Sequence, residues 1–144
     1  MGKIMLNSII VTDLNRITVS GGDVLHAMRK DSPGYNGYGE AYFSIIEPSA
    51  IKAWKKHSDM TLNLVVPLGM VRFVFTDGDG DFFIKEIGEQ NFARLTVPPG
   101  IWFGFTGLGS GESLILNISN ILHDPDEVER RERHEIPFDW SIKL

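Results

Sequence analysis

Residues 52 to 57 read K-A-W-K-K-H, three lysines and a histidine within six positions. Those residue types suit general acid–base chemistry, which needs a base with a pKa near the working pH. An imidazole titrates near pH 6.5 unaided, so His57 qualifies as it stands. Lys55 qualifies if burial, or the neighbouring Lys52 and Lys56, lowers its pKa by several units from about 10.4. In an extended segment, alternation puts Lys55 and His57 on one face and Lys56 on the other. Lys52 adds a cation for an anionic ligand. The bland alternative is a charged loop with a hydrogen-bonded histidine.

Four other residues have a chemical and a structural reading side by side. Asn63 and Asn117 interrupt the apolar runs NLVV and LILNI, and a buried amide needs partners that either the fold or a ligand supplies. Trp102 follows the Pro98-Pro99-Gly100 turn, where its ring either packs or offers a stacking face to a sugar or base. Arg72, between Val71 and Phe73, is expected to point away from the core, toward a ligand or a second subunit.

Composition removes several classes. The chain has no cysteine, which excludes disulfides, thiolate metal sites and thiol nucleophiles and fits a reducing compartment. A formal net charge of −5 argues against a nucleic-acid surface. Phosphate-binding glycine loops, serine-nucleophile elbows and H-E-x-x-H are absent, and His26, His57, His123 and His134 are too scattered for a recognisable metal motif. The first residues, MGKIMLNSIIVTD, carry apolar runs too short for a secretory signal. A cytoplasmic protein with no membrane segment is expected.

Positioning such residues falls to strands. Runs rich in Val, Ile, Phe, Tyr and Leu at 9–11, 39–47, 62–66, 70–76, 81–87, 93–97, 102–106 and 113–118 are separated by Gly, Pro or Asp, and eight strands at this spacing predict a single all-β jelly roll or barrel over 1–144. Asp77-Gly78-Asp79-Gly80 predicts a hairpin turn, because its glycines accept positive φ and a calcium loop would need a downstream bidentate Glu that is missing. Short peripheral helices are expected at 25–30 and 124–133. The second has a capping Asp124, Pro125 in its first turn, acids early and arginines late. Beyond it Ile136, Phe138 and Trp140 alternate as a last strand or a docking segment would.

Two half-motifs resemble those of cupins, in which an H-x-H pair, an acid and a Gly are followed by a P-x-G turn and a third His. Here Lys55-Lys56-His57 stands at H-x-H, Leu62 at the acid before Gly69, and Phe103 at the third His. One ligand of four remains, so the resemblance implies a cupin double-stranded β-helix with neither metal nor cofactor. The order K-A-W-x-x-H, a strand ending in Gly69, V-x-F-V-x-x-D, E-x-N-F-x-x-L-x-V-P-x-G, D-P-D-E and I-x-x-D-W further resembles the dTDP-4-dehydrorhamnose 3,5-epimerases over about residues 45–140.

That resemblance implies a homodimeric, metal-independent sugar-nucleotide isomerase or epimerase of polysaccharide biosynthesis, with a small-molecule nucleotide-sugar as its partner. Its residues carry over unevenly. The phosphate-binding Arg and base His fall on Lys52 and Lys55, a lysine on Leu62, a strand Asp on Phe73, the acid Tyr on Asn117 and the His-orienting Asp near Arg133. Lys55 and His57 are therefore the catalytic candidates, and Lys52, Asn63, Arg72, Trp102 and Asn117 the substrate-binding ones. A non-catalytic carbohydrate-binding cupin and a sugar-nucleotide ketoisomerase are the alternatives.

Overall fold

The computed structural model describes residues 2–144. After a short helix α1 (Gly2–Asn7) come β1 (Ile10–Asp13), β2 (Arg16–Ile17), β3 (Val24–Leu25), β4 (Glu40–Ile46), β5 (Ile51–His57) and β6 (Leu62–Leu68). Then follow β7 (Met70–Thr76), β8 (Phe82–Gly88), β9 (Ala93–Val97), β10 (Trp102–Gly107), β11 (Ser113–Ser119) and β12 (Val128–Arg130). Two five-stranded antiparallel sheets face each other, in the orders β1-β9-β6-β11-β4 and β12-β5-β10-β7-β8, beside a small β2-β3 hairpin. This is a cupin-like jelly roll. Every strand expected from the sequence is present to within two residues at either end.

Period-two alternation explains the core. Leu62, Leu64 and Val66 of β6, Phe73 and Phe75 of β7, Leu95 of β9 and Ile115 of β11 meet between the sheets in one buried cluster, and each such side chain contributes about 1.5–3 kcal/mol relative to exposure. Asp77 to Gly80 form the β7-β8 turn as expected, with the Asp79 amide donating to Asp77 Oδ1 at 2.7 Å and Thr76 paired with Phe82.

The second sheet is covered on its outer face too. Trp54, Val74 and Trp102 pack there against Ile136 and Trp140, so the C-terminal segment docks without forming a strand. Arg72 does point away from the core. It pairs with Glu86 at 2.7 Å and donates to the Ile142 carbonyl at 2.7 Å, which pins that segment.

Both helical expectations need correcting. Residues 25–30 hold the end of β3 and irregular chain, and 124–133 hold a 3₁₀ turn (Pro125–Glu127), β12 and the start of another 3₁₀ turn (Arg133–Glu135). Asp124 does cap, accepting from the Asp126 amide at 3.0 Å. A helix of ten residues is marginal in isolation, whereas β12 gains pairing along the open edge of β5, with Val128 opposite His57 and Arg130 opposite Lys55.

Candidate active site

The register of β5 explains why its cations converge. Lys55 lies opposite Phe103 and Lys52 opposite Phe105, while Ala53 is opposite Gly104 and Trp54 has no partner on β10. Trp54 is the extra residue of a β-bulge. Phe103 and Phe105 pack with the inner core, so Lys52, Lys55 and, by alternation, His57 all face inward. Lys56 faces outward, its Nζ 5.0 Å from the Trp102 ring centroid. Gly104 makes the bulge possible, since a Cβ there would stand 2.6 Å from the Ala53 Cβ.

At the mouth of the roll, between β4, β5, β10 and the chain after β12, is a cavity of about 600 Å³. Its walls include Lys52, Lys55, Arg130 and Arg131, two carboxylates (Glu132 and Glu135), and the rings of Phe103 and Phe105. That size and mixture fit a small-molecule ligand with polar and apolar parts. Lys52, Lys55 and Arg130 on one rim also suit an anionic ligand. Burial pushes the Lys55 ammonium below the usual lysine range, the Arg130 and Lys52 charges push it further down, and the Glu127 charge pulls it back only in part.

Beside Lys55 lies a pair that the sequence did not announce. His57 Nδ1 is hydrogen-bonded to Glu127 Oε1, and both side chains are buried. The other carboxylate oxygen accepts from the backbone amides of Asp59 and Met60, each at 3.0 Å. Burial opposes ionisation of Glu127, but the His57 and amide hydrogen bonds outweigh it and hold the carboxyl below its ordinary value. An ionised carboxylate can only accept, so Nδ1 carries the proton and Nε2 the lone pair. Burial also pushes the His57 imidazole below its ordinary range, against the hydrogen bond and charge of Glu127, which raise it, and with the charges of Lys55 and Arg130. The result is a neutral imidazole whose Nε2 is closed to solvent and has no hydrogen-bond partner. Its ring stacks on Phe103, with centroids 6.3 Å apart.

The remaining candidates are dispersed. Asn63 faces out of the first sheet, donating to the Gly34 carbonyl at 3.1 Å and accepting from Thr96 Oγ1 at 2.6 Å. Trp102 lies on the outer face of the second sheet, with the Arg131 guanidinium 4.6 Å from its ring centroid. Arg72 serves the C-terminal segment as described, and none of these three lines the cavity. Asn117 faces inward, opposite Leu64 of the core, and donates to the Tyr42 hydroxyl at 2.9 Å. Arg133 is exposed. The carboxylate that orients a base is instead Glu127, and it orients His57 rather than the residue at position 55. Among the described residues no group of three His, Asp or Glu side chains is arranged to hold a metal ion.

A jelly roll with a cation-rimmed mouth and a histidine held by a buried carboxylate has the architecture of a cupin. No family model matches the chain, but individual proteins do. The dTDP sugar isomerase of Desulfovibrio desulfuricans G20 has a structure with a TM-score of 0.88 and 36% identity, covering 93% of this chain and 91% of that one. The probable low-salt glycan biosynthesis epimerase Agl13 of Haloferax volcanii is 29% identical over 144 residues, 93% of this chain and 89% of its own. QdtA, a sugar 3,4-ketoisomerase from Thermoanaerobacterium thermosaccharolyticum solved with TDP, shares the fold at a TM-score of 0.76 and 16% identity over 92% of this chain and 94% of its own. The chain belongs to the family of the dTDP sugar isomerase and is an isomerase- or epimerase-like cupin, with the fold shared by RmlC-type 3,5-epimerases.

Proposed function

We propose that the protein is a metal-independent isomerase of a dTDP-4-keto sugar of polysaccharide biosynthesis, moving a proton at a carbon beside the ketone. The observation that carries this reading is Lys55 in the wall of a cavity rimmed by Lys52 and Arg130, with His57 next on the inner face of β5 and held by the buried Glu127. The rim cations take the diphosphate through charge-assisted contacts. Lys55, in the cavity wall, is placed to touch the sugar, and its lowered pKa leaves more of the amine free to accept the proton. Once protonated, Lys55 sits as an ammonium beside the enolate it has created. His57 is the next basic side chain on the same face, about 6.6 Å along the strand between Cα atoms, and is proposed to act as the next acceptor. Titration calorimetry with a dTDP-sugar, followed by solvent-deuterium incorporation at the carbons flanking the ketone, tests the assignment. Exchange at those carbons is the expected result, and binding without exchange would reduce the protein to a sugar-nucleotide binder.

The working form is proposed to be a cytoplasmic homodimer. Phe43 and Ile45 on β4 are 64% and 53% exposed and lie opposite Leu116 and Leu114 on the outer face of the first sheet. A contiguous apolar face at a sheet edge favours coverage by a second subunit. Light scattering at micromolar concentration should give twice the chain mass, and a monomer would remove this part.

A further inference from the structure

The half-buried Lys55 stands among cations without an acid of its own. Its direct partner on β12 is Arg130 and on β10 Phe103, while Lys52 lies on the same face opposite Phe105. Side chains directly opposite in an antiparallel pair have Cβ atoms about 4.5–5.5 Å apart, so amine and guanidinium are neighbours in the cavity wall. Lys56 on the other face has Glu129 at 3.6 Å, whereas among the described residues no carboxylate forms an ion pair with Lys52, Lys55 or Arg130. The nearby acids are engaged elsewhere. Glu127 has one oxygen on His57 and the other on the Asp59 and Met60 amides, and Glu132 and Glu135 each accept from the other's backbone amide.

An amine in that setting is a nucleophile as well as a base. Burial first, then the Arg130 and Lys52 charges, keep more of it neutral, against the opposing charge of Glu127, and a lysine shifted in this way attacks electrophilic carbon. The surroundings also select the electrophile. A ketone or aldehyde would leave a cationic iminium beside two further cations. Carbon dioxide is uncharged on entry and leaves an anion, with two oxygens for the two cationic neighbours.

We propose that Lys55 is a carbamylation site, at which carbon dioxide adds reversibly to the amine and the resulting carbamate is held between Lys52 and Arg130. The nitrogen lone pair forms the N–C bond, one C=O pair moves onto oxygen, and an N–H proton leaves to water. Nothing is oxidised or reduced, and proton return with loss of carbon dioxide reverses the step. The modification goes beyond the isomerase reading and stands on the geometry of Lys55 whether or not that reading holds. Its consequence for the site is a switch. A carbamylated Lys55 has no lone pair to take a proton, and its negative charge offsets the cations that would meet a diphosphate, so carbamate and nucleotide exclude each other.

The test is carbon-13 NMR of the whole chain in carbon-13 bicarbonate under mildly alkaline conditions, with alkylation by a trialkyloxonium salt to fix the adduct for peptide mapping. The expected result is a protein-bound carbonyl resonance, distinct from bicarbonate and dissolved carbon dioxide, that maps to Lys55 and disappears on adding dTDP. Lys55→Arg keeps the charge and should abolish the resonance, and Lys56→Arg on the outer face should retain it. Arg130→Gln should lower its occupancy about tenfold, the worth of one charge-assisted hydrogen bond. Adducts on other lysines but not on Lys55 would overturn the proposal, as would occupancy unchanged in Arg130→Gln. Bicarbonate that competes with dTDP while giving no bound resonance would mean a free anion on the rim and would overturn it too. Deuterium exchange into a keto sugar without a carbamate would sink this inference alone, and a carbamate without exchange would sink only the isomerase reading.

Discussion

Replacing Glu127 by Gln changes one oxygen to an amide nitrogen and nothing in shape, yet the surroundings leave that nitrogen no good place. If the new NH₂ faces Asp59 and Met60, two buried backbone donors that now donate to Glu127 Oε2 lose their acceptor, at about 1–3 kcal/mol each. If it faces His57, only the imidazole must adapt, by moving its proton from Nδ1 to Nε2. The second arrangement is cheaper. The expected cost is therefore the loss of charge assistance, about 1–3 kcal/mol, with the imidazole in the opposite tautomer. Nε2 would then carry a hydrogen and could accept no proton, so isomerisation should fall by 10²–10⁴-fold while dTDP affinity, set by the rim cations, stays within a few-fold. Urea unfolding, nitrogen-15 NMR of His57 and turnover measure the three quantities. A variant with the Nδ1–H tautomer intact and full activity would refute the role given to the pair.

The same pair sets a pH dependence. The folded pKa of His57 lies below 6.5 and that of Glu127 below 4.5, so each binds fewer protons in the folded state than in the unfolded chain within those windows. The pair's contribution to stability should be complete above pH 6.5 and fall as the pH drops, first through His57 and then through Glu127. A midpoint in urea that rose on acidification from pH 7 to 4 would contradict this. Lys52→Ala and Lys55→Ala should each weaken dTDP-sugar binding by about 1–3 kcal/mol in calorimetry with little change in melting temperature, because both line the cavity rather than the core. Gly104→Ala, whose Cβ would collide with Ala53, should cost about 1–3 kcal/mol in urea unfolding and weaken ligand binding by disturbing the bulge that turns Lys52 inward. Arg72→Ala should release the C-terminal segment, shifting tryptophan emission to the red as Trp54 and Trp140 lose cover; unchanged emission would count against that anchoring.

Strands such as 70–76 and 93–97 were legible because alternation and bounding Gly, Pro and Asp are local signals, and alternation alone put Lys55 and His57 on one face. Glu127 was not legible. Its role arises from the pairing of β12 with β5, contacts some 70 residues apart in sequence, while its immediate neighbours D-P-D-E carry every sign of a helix start. The bulge at Trp54 was equally hidden, since strict alternation would send Lys52 and Lys55 to opposite faces and only the shift against Gly104 unites them. Trp102 and Arg72 misled for a physical reason: the second sheet is buried on both faces, so residues expected at a ligand or a subunit boundary hold the C-terminal segment.

Lys55, with His57 and Glu127 beside it, is proposed to move a proton at a sugar carbon adjacent to a ketone. Proton NMR of dTDP-4-keto-6-deoxyglucose incubated with the purified protein in deuterated water measures that directly. Loss of the signal from at least one carbon flanking the ketone is expected, greatly slowed in Lys55→Ala. A spectrum unchanged over hours, from a protein that demonstrably binds the nucleotide-sugar, would contradict it.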